Sequence, residues 1–244
     1  MKSMSFGEYM QMAERVFFKL QVEATHRQLN SLALYVERLI LVLKQVRLTG
    51  ESSAEELFNK QIYDSLYPLK IITFKKGGRI LDLGSGGGLP GIPLSIALPE
   101  NEIVLLDSSK KKTTYIEETV KRLALKNVKA VNGRAEEYGH LKGHRGSYDY
   151  VVSKAVAEMD VLAEYTLPFL KIQGDTILYK GPRGEKELIA AAEAIKICGG
   201  KYQQKHHYRL PGGEERALYI IRKTDITPEK YPRRIGVPKK NPIK

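Results

Sequence analysis

The stretch ILDLGSGGGLPGIPLSIALPENEIVLLD, residues 80–107, decides the fold. An apolar run at 80–83 ends in five glycines within eight positions: Gly84, Gly86, Gly87, Gly88 and Gly91. A second apolar run, at 103–106, ends in Asp107. Glycines where a strand gives way to a helix let a ligand lie against bare backbone, at the switch point of a doubly wound sheet. Residues 86–91 satisfy the G-x-G-x-x-G spacing. Asp107 follows about 20 residues later, where a carboxylate can take both hydroxyls of a ribose. By itself this pattern fits NAD or another adenosine-containing ligand equally well.

Working outward, short apolar runs at 80–83, 103–106, 128–131, 148–152 and 176–179 alternate with helical patterns near 89–98, 110–124, 158–170 and 184–198. Alternation at this spacing predicts a parallel sheet with helices on both faces. The end of the chain breaks the rule. KYQQKHHYRL (201–210) and RALYIIRK (216–223) are separated only by PGGEE, which predicts an antiparallel hairpin. The first 70 residues instead carry a period near 3.6. Phe6, Tyr9, Met10, Ala13, Val16, Phe17 and Leu20 share one helical face, as do Leu29, Leu32, Ala33, Val36, Leu39, Ile40 and Leu43. Ser53 with Glu56 forms a capping box ahead of a third helix. The expected architecture is α/β and Rossmann-like, with a mostly parallel seven-stranded sheet and a terminal antiparallel hairpin. The expected division is a helical extension at 1–70, a core at 71–223 and a basic tail at 224–244.

Composition narrows the class. The single cysteine, Cys198, cannot form an internal disulfide, which points to a reducing compartment. No apolar run approaches the roughly 18 residues of a membrane span, and the N-terminus does not read as a secretory signal; a cytoplasmic protein is expected. The formal net charge is +12, and residues 222–244 hold eight basic against two acidic residues, half of that excess. Clustered basic charge attracts polyanions, most often nucleic acid.

Three features separate the candidate ligands. Asp82, ending the first strand, would repel a pyrophosphate but suits a cation such as the amino-acid end of S-adenosylmethionine. GRAEE (133–137) follows the third strand, where backbone and an acid can hold adenine. A terminal hairpin is typical of Rossmann-like methyltransferases and unusual in dehydrogenases. S-adenosylmethionine is therefore favoured, with an NAD-type oxidoreductase as the rival reading.

LDLGSGGGLPGIPLSIALP, LLDSSKKK, NGRAEE, VVSKAVAEMDVLAEYTLPFL and YPRRIGVPKKNPI, in that order, resemble the RsmG family, also called GidB. RLTGE and YDSLYPL in the helical N-terminus extend the likeness over most of the chain. The resemblance implies a class I methyltransferase that uses S-adenosylmethionine to modify N7 of one guanine in small-subunit ribosomal RNA. It implies that Gly84, Ser85, Gly86, Gly88 and Leu89 lie under the methionine and ribose part of the cofactor. Asp107 would hold the ribose, Ala135 and Glu136 the adenine. Lys154 stands where the family usually has arginine, at a position contacting cofactor or substrate. Arg47 and Gln61 also depart from the family pattern, and a non-catalytic RNA-binding or ribosome-assembly factor on the same fold is the second rival.

Guanine N7 carries its own lone pair and loses no proton on methylation, so alignment suffices and no acid–base residue is expected. A cation touching the ring would oppose the reaction, so Lys154 is expected to bind a carboxylate or phosphate. No metal site is expected: His206 and His207 are adjacent in a predicted strand and point to opposite faces. Lys110, Lys111 and Lys112 open a helix, where cations are disfavoured by about 0.3–1 kcal/mol each. With Arg183, Arg233, Arg234, Lys239 and Lys240 they are expected to meet RNA. Nothing in the sequence demands more than a monomer.

Overall fold

The computed structural model describes residues 4–43 and 53–244; Arg47 and the RLTGE stretch lie outside the described residues. Helix α1 (Phe6–Leu20) begins at a reciprocal cap. The Ser5 hydroxyl accepts the Glu8 amide, and the Glu8 carboxylate accepts the Ser5 N–H at 2.6 Å. It ends at Gln21, whose φ of 58° turns the chain out of the helix. Helix α2 (His26–Leu43) is capped in the same way by Thr25 and Gln28. The striped faces meet: Tyr9, Ala13, Val16, Phe17 and Leu20 of α1 join Leu32, Ala33, Tyr35, Val36 and Leu39 of α2 in one apolar cluster. Each fully buried Leu or Ile contributes roughly 1.5–3 kcal/mol, well above the few tenths per residue that helix propensity supplies. Packing therefore fixes these helices.

The third helical region is not the regular helix expected. After α3 (Ala54–Glu56), capped by the Ser53 hydroxyl, come a π-helix at Leu57–Ile62, α4 (Tyr63–Leu66) and a 3-10 turn at Tyr67–Lys70. Pro68, which lacks an N–H, sits at the start of the 3-10 turn. The wide π turn buries Leu57, Phe58 and Ile62, while Lys60, Gln61 and Asp64 line a cleft.

The remaining elements run β1 (Arg79–Leu83), α5 (Gly91–Ala97), β2 (Glu102–Asp107), α6 (Lys110–Arg122), β3 (Val128–Asn132), α7 (Ala135–Tyr138), β4 (Tyr148–Lys154), α8 (Met159–Thr166), β5 (Leu170–Lys180), α9 (Gly184–Ala190), α10 (Ala192–Ile197), β6 (Gly200–Arg209), β7 (Glu215–Lys223) and α11 (Val237–Lys240). They form one seven-stranded sheet in the order β3-β2-β1-β4-β5-β7-β6. The first five strands pair in parallel, and β7 lies antiparallel between β5 and β6. β1 and β2 are buried on both faces, as a sheet covered by helices requires. Two details differ from the sequence expectation. β5 reaches back to Leu170 past a kink at Gln173, whose φ is 69°. The helix expected over 184–198 breaks at Ala191.

The N-terminal helices cover one face of the sheet, and α8, α10 and the C-terminal segment cover the other. That segment is not a solvated tail. Thr227, Tyr231 and Ile243 are buried. The Arg145 guanidinium donates to the carbonyls of Gly139, Thr227 and Tyr231. Buried Glu164 accepts four hydrogen bonds from Arg233, through its backbone N–H, its Nε shared between both carboxylate oxygens, and its Nη2.

Candidate functional site

The glycine loop joins β1 to α5 at the carboxyl end of the sheet. Gly84 has φ +78°, and a Cβ there would sit 2.3 Å from Val156. At Gly91 a Cβ would fall 2.0 Å from Leu105 and 2.6 Å from the Asp82 carboxylate. Only hydrogen fits. That closeness lets the Gly91 amide donate to Asp82 Oδ2 at 2.8 Å. The loop is tied on two further sides. Asp107 Oδ2 accepts the Gly86 amide at 2.8 Å while its Oδ1 accepts the Ser109 amide. Tyr35, fully buried on α2, donates its hydroxyl to the Gly87 carbonyl at 2.8 Å.

Two clefts flank the loop. The smaller, about 270 Å³, is lined by Leu83, Leu106, Asp107, Arg134, Ala135, Glu136 and Tyr165 among others. The larger, about 820 Å³, takes Lys60, Gln61 and Asp64 from the N-terminal helices, Ser85, Gly86 and Leu89 from the loop, and Lys154, Arg183 and Arg216 from the sheet side. Gly84, Lys112, Ala155 and Val156 line both, so the two share one mouth. The small cleft has the size and the donor set for a nucleoside. A carboxylate stands at the end of β2, and an apolar slot lies between Leu83, Leu106 and Val156. A Cβ at Gly84 would run into Val156, which lines the same cleft. These features fit S-adenosylmethionine.

Asp82 needs correcting. It is wholly buried beneath the loop and does not line either cleft. Burial, with the nearby Asp107 charge adding to it, pushes its carboxyl up to about 7 against the pull of the Gly91 amide. Its Oδ1 has no partner among the described residues. Asp82 therefore shapes the loop from below rather than lining the site. Ser85 is likewise buried, its hydroxyl donating to the Asp82 carbonyl. Gly88 carries the turn into α5, its carbonyl accepting the Ile92 amide.

Ala135 and Glu136 do stand on the wall of the small cleft. The Glu136 carboxylate, however, is already engaged. Its Oε1 accepts the Tyr165 hydroxyl at 2.9 Å and the Gly236 amide at 3.0 Å. Lys154 ends β4, and its ammonium lies 2.8 Å from Asp64 Oδ2. It also donates to the Gln61 carbonyl at 3.4 Å. The Tyr208 hydroxyl donates to Asp64 Oδ1, and the Tyr208 ring stacks on Tyr67 at 3.7 Å. Tyr179 completes the cluster, its hydroxyl donating to the Ser65 carbonyl at 3.0 Å.

The basic residues divide. Lys110 and Lys111 are exposed at the start of α6, and Arg183, Arg234, Lys239 and Lys240 are exposed as well; Lys112 reaches the shared mouth. Arg233 is the exception. Its guanidinium is spent on Glu164 and the Asn241 carbonyl, because a carboxylate buried as deeply as Glu164 needs a cation beside it. Arg233 therefore stabilises the fold and leaves little to offer a phosphate. Sequence reasoning missed Tyr35, Asp64, Tyr165, Tyr208 and Arg216. Only Asp64 carried a signal, as the lone acid in the YDSLYPL stretch. No group of three or more His, Cys, Asp or Glu side chains able to hold a metal occurs among the described residues. No described helix is long and apolar enough to cross a membrane.

Solved structures with the same fold include TrmN from Thermus thermophilus, with a TM-score of 0.53 and 16% identity over 68% of this chain and 49% of that one. The YcgJ protein of Bacillus subtilis also gives a TM-score of 0.53, with 14% identity, over 67% of this chain and 99% of that one. These identities speak to the fold alone. Sequence relatives are much nearer. A ribosomal RNA small subunit methyltransferase G from Alkaliphilus oremlandii is 40% identical over 92% of this chain and 95% of its own. One from Lactococcus lactis subsp. cremoris is 37% identical over 91% and 94%. The family described as rRNA small subunit methyltransferase G matches residues 28–218. Neither the oxidoreductase reading nor the non-catalytic one finds support among these relatives. The glycine loop, the carboxylate ending β2 and the hairpin closing the sheet are thus features of a methyltransferase, and this chain belongs to the rRNA small subunit methyltransferase G family.

Proposed function

We propose that this enzyme transfers a methyl group to N7 of a guanine in small-subunit ribosomal RNA. The observation that carries this reading is the shared mouth. A nucleoside-sized cleft floored by Asp107 opens, across Gly84 and Lys112, into a larger cleft bordered by Lys154, Arg183 and Arg216. S-adenosylmethionine, when bound, supplies an electrophilic methyl carried on a sulfonium. In the reaction the N7 lone pair forms the new carbon–nitrogen bond, the carbon–sulfur bond breaks, and its electron pair returns to sulfur. No proton leaves. The positive charge passes to the purine, so the protein needs neither a base nor a nucleophile.

The protein's part is placement. Asp107, the loop amides and the wall at Ala135 and Glu136 would hold the nucleoside, and Tyr35 keeps the loop from moving away from it. Alignment of this kind is worth up to roughly 7–11 kcal/mol of a barrier. Cys198 is no alternative nucleophile: burial pushes its thiol up to about 12. Lys110, Lys111, Lys112, Arg183, Arg234, Lys239 and Lys240 would contact RNA phosphates around the mouth. With ribosomal RNA as partner, free or within an assembling subunit, the enzyme works in the cytoplasm and as a monomer. The test is transfer of labelled methyl from S-adenosylmethionine to small-subunit RNA, naked and protein-bound, with the site mapped by cleavage at 7-methylguanosine. Label at one guanine N7 supports the reading. Label elsewhere, or none on either substrate, overturns it.

A further inference from the structure

The larger cleft contains a buried ion pair that the methyl-transfer chemistry does not require. Lys154 and Asp64 line it side by side, 2.8 Å apart, with side chains 13% and 5% exposed. An ion pair so enclosed is costly to desolvate and often no more stabilising than an apolar pair of the same size. Its retention in a ligand cleft calls for a use. We propose that this pair reads the edge of the target base, Lys154 donating to guanine O6 and Asp64 accepting from guanine N1–H. This rests on the guanine-N7 reading above.

The order of the two charges decides the base. Lys154 ends β4 and runs directly into Ala155 and Val156, which line the nucleoside cleft as well. It also lies near enough to Asp82 to draw that carboxyl downward. Asp64, beside Lys154, comes from α4 of the N-terminal helices and does not line the nucleoside cleft. A purine presenting N7 toward the nucleoside cleft shows its 6-substituent next, then position 1. Guanine in that pose offers an acceptor to the ammonium and a donor to the carboxylate. Adenine offers the reverse, its amino group against Lys154 and its N1 lone pair against Asp64. Both contacts would then be mismatched, and unpaired buried polar groups are what make such sites selective.

The pair has capacity to spare and is held still. An ammonium has three donors, of which Asp64 and the Gln61 carbonyl take two. Each carboxylate oxygen accepts two hydrogen bonds, and Tyr208 and Lys154 take one on each. The stacked Tyr67–Tyr208 rings and the Tyr179–Ser65 hydrogen bond fix the helix that carries Asp64. Asp64 also removes the objection to a cation at the ring, because it balances the Lys154 charge. As the purine gains positive charge, the N1–H bond to Asp64 strengthens, so its loss is expected in kcat more than in KM.

The test uses the full-length enzyme and small-subunit RNA carrying guanosine, inosine or N1-methylguanosine at the target. N1-methylguanosine keeps N7 and O6 but lacks the N1 proton. It is expected to lose roughly 10- to 100-fold in kcat/KM, whereas inosine, lacking only the 2-amino group, is expected to stay within a few-fold. Equal rates on guanosine and N1-methylguanosine overturn the proposal. Asp64→Asn, nearly the same size, preserves any steric clash with the added methyl. The proposal expects this variant to bind S-adenosylhomocysteine normally and the gap between the two substrates to shrink. A gap that persists unchanged marks the effect as steric and overturns it. Failure of the wild type on guanosine itself would overturn the guanine-N7 reading, and this inference with it.

Discussion

The two clefts that meet at Gly84 are made of different materials. The nucleoside side is built locally, from the ends of adjacent strands and the turns that follow them: Leu83 and Gly84 after β1, Leu106 and Asp107 at the end of β2, and Arg134 to Glu136 after β3. The larger side adds to the glycine loop side chains from segments far apart in sequence, among them Asp64, Lys154 and Arg216. Asp64 and Tyr208, which share a hydrogen bond there, are 144 residues apart. The first kind of wall is set by local geometry and leaves no room for an added atom at Gly84. The second tolerates some change of shape but depends on a few charges being matched.

That contrast can be attacked at its strongest point first. Asp82 has its carboxyl raised from the ordinary 3.8 to about 7 by burial. A raised acid binds more protons folded than unfolded, so its contribution to stability falls as pH rises from about 4 to about 7. At roughly 1.4 kcal/mol per pH unit, that amounts to at most about 4 kcal/mol. Urea midpoints across that range are expected to fall for the wild type and to flatten for Asp82→Asn, whose amide oxygen can still accept from Gly91. Next comes Gly91→Ala, whose methyl has no room between Leu105 and Asp82. It is expected to cost about 3 kcal/mol of stability and to weaken S-adenosylmethionine binding in calorimetry. Equal stability of this variant and the wild type would mean that the loop yields at Leu105 and Asp82.

Smaller effects sharpen the comparison. Tyr35→Phe leaves the buried Gly87 carbonyl without its donor, at a cost of about 2 kcal/mol. Because Tyr35 joins the N-terminal helices to the loop, cofactor affinity should fall along with stability. Tyr208→Phe removes one donor from Asp64 and is expected to lower kcat/KM about tenfold, or about 1.4 kcal/mol, with cofactor affinity unchanged. Arg234→Ala is expected to reduce the slope of log affinity for RNA against log salt by about 0.7–0.9 while leaving stability alone. Arg233→Ala should do the opposite, because its loss strands Glu164. A change in salt slope without destabilisation in Arg233→Ala would return that residue to the RNA surface.

The same contrast explains what the sequence disclosed. Strands β1 and β2, the glycine loop and Asp107 are local signals, each legible within a window of a few residues, and the alternation of elements gave the sheet and its hairpin. The RsmG likeness pointed to Asp107, Ala135, Glu136 and Lys154, but not to what each side chain touches. Asp64 and Tyr208 meet only through the fold, so no spacing rule announces them. Arg233 and Arg234 are adjacent and alike as letters; only the position of Glu164 tells them apart. The third helix was foreseen through its Ser53 cap, yet its π turn was not. That turn follows from packing rather than propensity.

Glu136 stands on the nucleoside wall, but one of its two hydrogen bonds comes from Gly236. Residues 227–243 are translated after every strand of the sheet. A nascent or proteolytically clipped chain can thus own a complete sheet and glycine loop while that wall is still unfinished. Readiness to take up the nucleoside would then report on the integrity of the polypeptide as well as on its folding.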